Sequence, residues 1–142
     1  MILFLCTGNY YRSRLAEELF NHFAAHAGNP MRATSRGIAQ SFTAFRNVGS
    51  ISPHVIQQLG QRGILPLRPN APPQSLTETD LQTAARVIAL CQSEHYPMMQ
   101  QRFPQWAERI TYWHIPDHLE MPVPQAAAQI EAQVRTLLAN LS

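Results

Sequence analysis

The chain predicts an α/β fold in which a parallel sheet carries helices on both faces. Three observations lead there. Continuous apolar runs occur at Ile2–Leu5 and, within the segment Arg86–Cys91, from Val87 onward, the pattern of strands buried on both sides. Segments with apolar residues at helical spacing alternate with them. Cys6, Ser35, Cys91 and Asp117 all fall at or just past the carboxyl ends of expected strands. In such sheets ligands bind at that edge.

The elements follow in order. After the strand Ile2–Leu5, the segment from Leu15 to Ala27 places Leu15, Leu19, Phe20 and Phe23 on one helical face and stops at Gly28-Asn29-Pro30. Arg32–Ser35 reads as a short second strand, with a loop from Gly37. Ser52-Pro53 is a helix start, with a capping serine and proline at the first helical position. That helix carries Val55, Ile56 and Leu59 and stops at Gly63. Pro66 to Pro73 holds four prolines in eight residues and predicts an extended connection. Thr77 to Asp80 resembles a capping arrangement before a short helix. A polar helix follows Cys91, and Pro97 is expected in its first turn, where a missing N–H costs nothing. Ile110–His114 reads as a further strand and Ile115–Val123 as a loop. Pro124 is expected to open a last helix bearing Ala127, Ile130, Val134, Leu137, Leu138 and Leu141.

Composition narrows the function. A chain of 142 residues predicts one domain, 1–142, with a real core. All eleven basic residues are Arg. Without Lys, neither Schiff-base chemistry nor a nucleotide-hydrolase lysine loop is available. A net charge of +2 with no Arg run gives no reason to expect a nucleic-acid partner. No stretch has membrane-spanning length, and the apolar start is too short for a signal peptide. Two cysteines, Cys6 and Cys91, make neither a disulfide framework nor a zinc set. The expected setting is the cytoplasm, where Cys6 stays a thiol.

The most informative stretch is Cys6-Thr7-Gly8-Asn9-Tyr10-Tyr11-Arg12-Ser13, between the first strand and the first helix. Gly8 and Asn9 tolerate positive φ, so successive N–H groups can turn inward as an anion nest. The helix dipole adds positive field, which also favours a thiolate at Cys6. Arg12 offers a planar fork for two oxyanion oxygens. Ser13 Oγ can donate to the sulfur, and Asn9 reads as bracing the loop rather than touching substrate.

C-T-G-N-x-x-R-S near the start resembles the phosphate-binding loop of the low-molecular-weight protein tyrosine phosphatases and of the related thioredoxin-coupled arsenate reductases. Ser35-Arg36-Gly37-Ile38, Ile51-Ser52-Pro53, Leu76 to Leu81, the strand to Cys91 and Ile115-Pro116-Asp117 resemble later family segments in the right order. The resemblance implies a four-stranded parallel sheet of order 2-1-3-4 between helices. It implies that Cys6 attacks phosphorus, that Arg12 holds the oxygens and that Asp117 is the general acid. Thr7, Gly8, Asn9, Tyr10, Tyr11 and Ser13 would form the substrate-binding loop. The implied partners are a phosphorylated substrate, either protein phosphotyrosine or a small phosphomonoester, and inorganic phosphate. No cofactor and no metal are implied.

Several positions depart from the family pattern. His118 and Leu119 follow Asp117 where Pro and aromatics are usual, so Tyr10, Tyr11 and Phe42 are the candidates to line the mouth. Tyr11 stands where many members carry a second loop cysteine. Arg14 replaces a common Pro, a change expected to matter little. Glu120 is the reserve candidate for the acid. Two other readings stay open: an arsenate reductase using Cys6 with an external thiol, and a regulatory oxyanion-binding module with weak turnover. The reductases need a third thiol beyond Cys91, and the region Tyr96-Pro97-Met98-Met99 has none. His95, His114 and His118 lack metal-ligand spacing.

Overall fold

The computed structural model describes residues 1–141. Strand β1 (Ile2–Cys6) lies inside a four-stranded parallel sheet, between β2 (Ala33–Gly37) and β3 (Arg86–Ala89), with β4 (Thr111–Tyr112) outside β3. The order is 2-1-3-4, as the resemblance implies. Pairing of Cys6 with Gly37 and of Leu5 with Ala89 sets the carboxyl ends level.

Strand period 2 sends alternate residues of β1 to opposite faces. Ile2 and Phe4 join a core built with helices α1 (Arg12–His26), α2 (Pro53–Gln61) and α5 (Val123–Ala139). Phe4 packs between Phe20 and Trp113, with ring centroids 6.2 and 5.6 Å away. Leu3 and Leu5 face the other core, under α3 (Glu78–Thr83) and α4 (Gln92–Arg102), with Leu81 and Met99. Burial on both faces explains why β1 and β3 are apolar without alternation.

The boundaries have local causes. α1 begins at Arg12, straight out of the loop, and ends where Gly28 takes φ +70°. Ser52 Oγ accepts the His54 N–H at 3.1 Å ahead of Pro53. Thr77 and Asp80 cap α3 reciprocally. α5 begins one residue before Pro124.

Pro97 departs from expectation, because it is the sixth residue of α4 rather than a first-turn residue. The helix starts earlier because tertiary contacts fix its beginning. The Gln92 N–H donates to the Trp113 carbonyl at 2.9 Å, and the Cys91 N–H donates to His95 Nδ1 at 3.0 Å. Pro97 is exposed, so the Ser93 carbonyl left without its partner can meet water.

Arg14 also differs from expectation. It is 1% exposed, and its guanidinium donates to the carbonyls of Ala71 and Arg68 at 3.0 and 2.6 Å. A proline there could make neither bond. Arg14 ties the proline-rich connection to the face of α1.

Candidate active site

The loop between β1 and α1 is shaped by two close approaches and one residue in the left-handed region. Asn9 adopts φ 52°, a left-handed conformation that asparagine accepts at low cost. Gly37 lies so near that a Cβ there would come 2.9 Å from the Thr7 carbonyl and 2.7 Å from the Phe42 ring. The Ile38 and Ala39 N–H groups donate to the Cys6 and Thr7 carbonyls at 2.8 and 3.1 Å. Those bonds use up the loop's carbonyls on the β2 side.

Cys6 Sγ is 2.9 Å from Ser13 Oγ. Asn9 Nδ2 donates to Ser13 Oγ at 3.0 Å and to Ser35 Oγ at 2.9 Å, while its Oδ1 accepts the Gln74 N–H at 3.0 Å. The asparagine amide is therefore satisfied at both ends, and its orientation is fixed. Its bracing role, expected from sequence, is explicit in these bonds. Asn9 and Ser13 lie behind the loop, not along the cleft.

The cleft beside the loop has a volume of about 500 Å³. Cys6, Thr7, Gly8 and Arg12 line it from the loop side, and Asp117 and His118 from the β4–α5 loop. Tyr10, Tyr11 and Phe45 supply aromatic walls. Phe42, expected at the mouth, instead packs against Phe45 with centroids 6.4 Å apart, and Phe45 takes the position on the cleft. The Tyr10 hydroxyl donates to the Val48 carbonyl at 2.6 Å, pinning that wall to the loop after β2. The Tyr11 ring contacts His54 and His118 edge-on, and its buried hydroxyl has no hydrogen-bond partner among the described residues. Burial raises the Tyr11 phenol pKa, opposed by Arg12 and assisted by Asp117.

Arg12 is held from two sides. One guanidinium nitrogen donates to the Ile115 carbonyl at 3.0 Å and the other to Glu94 Oε2 at 2.7 Å. Glu94 also accepts from the Thr7 hydroxyl and lies 3.2 Å from His95 Nε2. The Cys91 N–H occupies His95 Nδ1, so the ring proton sits on Nε2 and points at Thr7 and Glu94. Burial works against the Glu94 charge, but bonds from His95, Arg12 and Thr7 outweigh it and hold the carboxyl far below the usual range. Burial lowers the His95 pKa, with Glu94 opposing. Burial works against the Arg12 charge, but the Glu94 bond and the nearby Cys6, Glu94 and Asp117 together outweigh it and raise the Arg12 pKa.

Asp117 is half-exposed, and its Oδ1 accepts the His118 N–H at 2.8 Å and lies 3.1 Å from His118 Nδ1. Glu120 is exposed on the next turn and does not line the cleft. Leu119 is exposed too. Cys91 Sγ is 3.4 Å from Ser93 Oγ and lies off the cleft. Among the described residues, no three His, Cys, Asp or Glu side chains are grouped to hold a metal ion, and no helix is long and apolar enough to cross a membrane.

Glu94, His95, His54 and Phe45 were not singled out from sequence for the site. Glu94 and His95 had a readable signal, since they occupy the first turn of a helix that leaves the carboxyl edge of the sheet. His54 and Phe45 enter through loop geometry, which no local pattern announces.

A cysteine at the carboxyl end of the first strand, a nest-shaped loop and a buried arginine at the following helix start define an α/β protein of the phosphatase class. The chain belongs to the low molecular weight phosphotyrosine protein phosphatase family, whose model matches residues 1–142. It is 28% identical over 109 residues to the protein-arginine-phosphatase of Bacillus subtilis (strain 168), covering 77% of this chain and 67% of that protein. Solved structures share the fold, among them the two that follow. The low molecular weight protein tyrosine phosphatase of T. tengcongensis matches with a TM-score of 0.80 at 24% identity, covering 98% of this chain and 97% of that one. Wzb of Vibrio vulnificus, solved with benzylphosphonate, matches with a TM-score of 0.79 at 18% identity, covering 98% and 97%.

Proposed function

We propose that the protein hydrolyses phosphomonoesters of the phosphotyrosine type through a phosphocysteine intermediate on Cys6. One observation carries the reading: the Cys6 sulfur, bonded to Ser13 at 2.9 Å, opens onto a cleft that Arg12 and Asp117 also line. In the first step the Cys6 thiolate forms a bond to phosphorus while the ester P–O bond breaks. Asp117 gives its proton to the departing oxygen. In the second, water attacks phosphorus, Asp117 takes a water proton, and the S–P bond breaks to release phosphate and the thiolate. Arg12 and the N–H groups of residues 7–13 stabilise the equatorial oxygens throughout. Ser13 donates to the sulfur when it leaves as a thiolate.

The walls of Tyr10, Tyr11 and Phe45 suit a flat aryl group, which favours phosphotyrosine over a small aliphatic ester. The likeness to an arginine phosphatase supports a second substrate, phosphoarginine, by the same two steps with nitrogen in place of oxygen. Arsenate reduction has less support, since Cys91 lies off the cleft. A reducing cytoplasm suits a reaction that needs Cys6 as a free thiol.

The test is hydrolysis of p-nitrophenyl phosphate, phosphotyrosine peptide and phosphoarginine peptide, run beside thiol-dependent arsenate reduction, with wild type and Cys6→Ser. The reading expects aryl phosphate hydrolysis in the wild type alone. Arsenate turnover without phosphatase activity contradicts it, as does full activity in Cys6→Ser.

A further inference from the structure

The hydrogen bonds behind Cys6 continue well past the loop. Ser35 Oγ donates to Glu17 Oε1 at 2.6 Å. Glu17 is fully buried and takes the fork of Arg68, Nε at 2.8 Å on Oε2 and Nη2 at 2.9 Å on Oε1. Among the described residues, Arg14 Nε is the other cation paired with Glu17, but it stands 3.8 Å off and makes no hydrogen bond. Arg68 belongs to the proline-rich connection. The backbone of that connection is fixed on both sides. Glu18 accepts the Leu67 and Arg68 N–H groups at 2.8 and 3.0 Å, and Arg14 donates to the Arg68 and Ala71 carbonyls.

We propose that Arg68 is a positioning residue for Cys6, acting through Glu17, Ser35, Asn9 and Ser13 to aim the Ser13 hydroxyl proton at the sulfur.

The chain has a defined direction. A hydroxyl carries one proton. Ser35 spends its proton on Glu17, so its oxygen is free to accept from Asn9. Asn9 then presents N–H, not oxygen, to both serines. Ser13 accepts from Asn9, and its own proton is left for Cys6. The direction depends on Glu17 being a hydrogen-bond acceptor. A fully buried carboxylate that loses its hydrogen-bonded cation, with Arg14 at 3.8 Å contributing charge but no hydrogen bond, is costly, and the neutral acid relieves that cost. A protonated Glu17 can donate to Ser35, whose proton then turns toward Asn9. Asn9 can answer only by offering its oxygen, and an amide flipped that way draws the Ser13 proton off the sulfur. The flip also sets Nδ2 against the Gln74 N–H, donor against donor, so either arrangement is worse for the loop.

Arg68 suits a test because its side chain is 43% exposed, so truncation leaves no sealed cavity. The inference rests on Cys6 being the reactive thiol, and alkylation reads it without any turnover. Wild type, Arg68→Met, Arg68→Lys and Arg62→Met are treated with iodoacetamide at about pH 6 and about pH 9, with the Cys6 peptide followed by mass spectrometry. Arg62 is the control, since it makes a comparable ion pair, with Glu131 at 2.6 Å, and its other bonds go to Gln58, outside the hydrogen-bond chain behind Cys6. In Arg68→Met the ratio of the slower to the faster rate should drop roughly 5–10-fold, and kcat on p-nitrophenyl phosphate should fall about tenfold with KM within about twofold. Arg68→Lys keeps the charge but reaches one oxygen, and should lie between. Arg62→Met should melt lower and keep the wild-type ratio. A wild-type ratio in both Arg68 variants overturns the proposal whatever happens to kcat. An equal change in Arg62→Met overturns it too, by tracing the effect to lost stability. Failure of the phosphatase reading shows separately, as hydrolysis that survives Cys6→Ser.

Discussion

Arg12 and Glu94 meet at 2.7 Å, joining the start of α1 to the first turn of α4. With the Ile115 carbonyl on another nitrogen, the guanidinium plane is fixed from two elements that follow different strands. A fork held this way binds two oxygens of a phosphoryl group without reorganising. Glu94→Ala should leave Arg12 its charge but free its plane. A fall of about tenfold to a hundredfold in kcat/KM is expected, the scale of a lost positioning contact. Steady-state kinetics on p-nitrophenyl phosphate check it.

Arg12→Lys should be far from conservative. The ammonium keeps the charge but cannot reach Ile115, Glu94 and two phosphoryl oxygens together. Turnover should fall at least about a hundredfold, and inhibition by inorganic phosphate should weaken. Wild-type kinetics would remove Arg12 from the site.

Stability should depend on pH through Glu94 and His95. Both have folded-state pKa values below their ordinary ones of 4.5 and 6.5. The folded protein then binds fewer protons than the unfolded chain, so each contributes stability above its ordinary pKa and loses it as pH falls. Melting temperature should rise toward neutrality. In His95→Gln the part of the rise just below pH 6.5 should flatten, even if the variant melts lower throughout. Melts across a pH series of both proteins measure the difference.

The reactive loop was legible in the sequence because its chemistry is contiguous: Cys6, Gly8, Asn9, Arg12 and Ser13 lie within one strand-to-helix turn. The sheet order followed from the resemblance, and apolar runs located β1 and β3. What escaped the reading depends on distant chain segments meeting. Glu94 reaches Arg12 from 82 residues away. Arg14 looked incidental, because nothing local shows that its side chain is buried against the proline-rich connection. Pro97 was placed by a local helix rule, whereas contacts of Cys91, Gln92 and His95 decide where α4 begins. Phe42 and Phe45 are equivalent in sequence, and only the fold of their loop decides which one faces the cleft.

Asp117→Asn should slow phosphorylation of Cys6 by roughly 10²–10⁴-fold for a phenyl phosphate, and less for an aryl phosphate whose phenolate leaves unaided. Single-turnover rates against leaving-group pKa test this. A small, uniform effect would move the acid to another group, with Glu120 the next to try.

Activity should survive EDTA, since Arg12 and backbone N–H groups supply the positive charge in the proposed steps. Loss on chelation that a divalent ion restores would contradict them.

The central claim is that Cys6 takes the phosphoryl group covalently. The direct measurement is acid quenching of enzyme mixed with p-nitrophenyl phosphate in the pre-steady state, followed by peptide mapping. The account predicts one phosphoryl group on the peptide Met1–Arg12, carried by Cys6 and absent from Cys6→Ala. Full turnover with no phosphorylated Cys6 at any time, or a phosphoryl group that persists in Cys6→Ala, would contradict it.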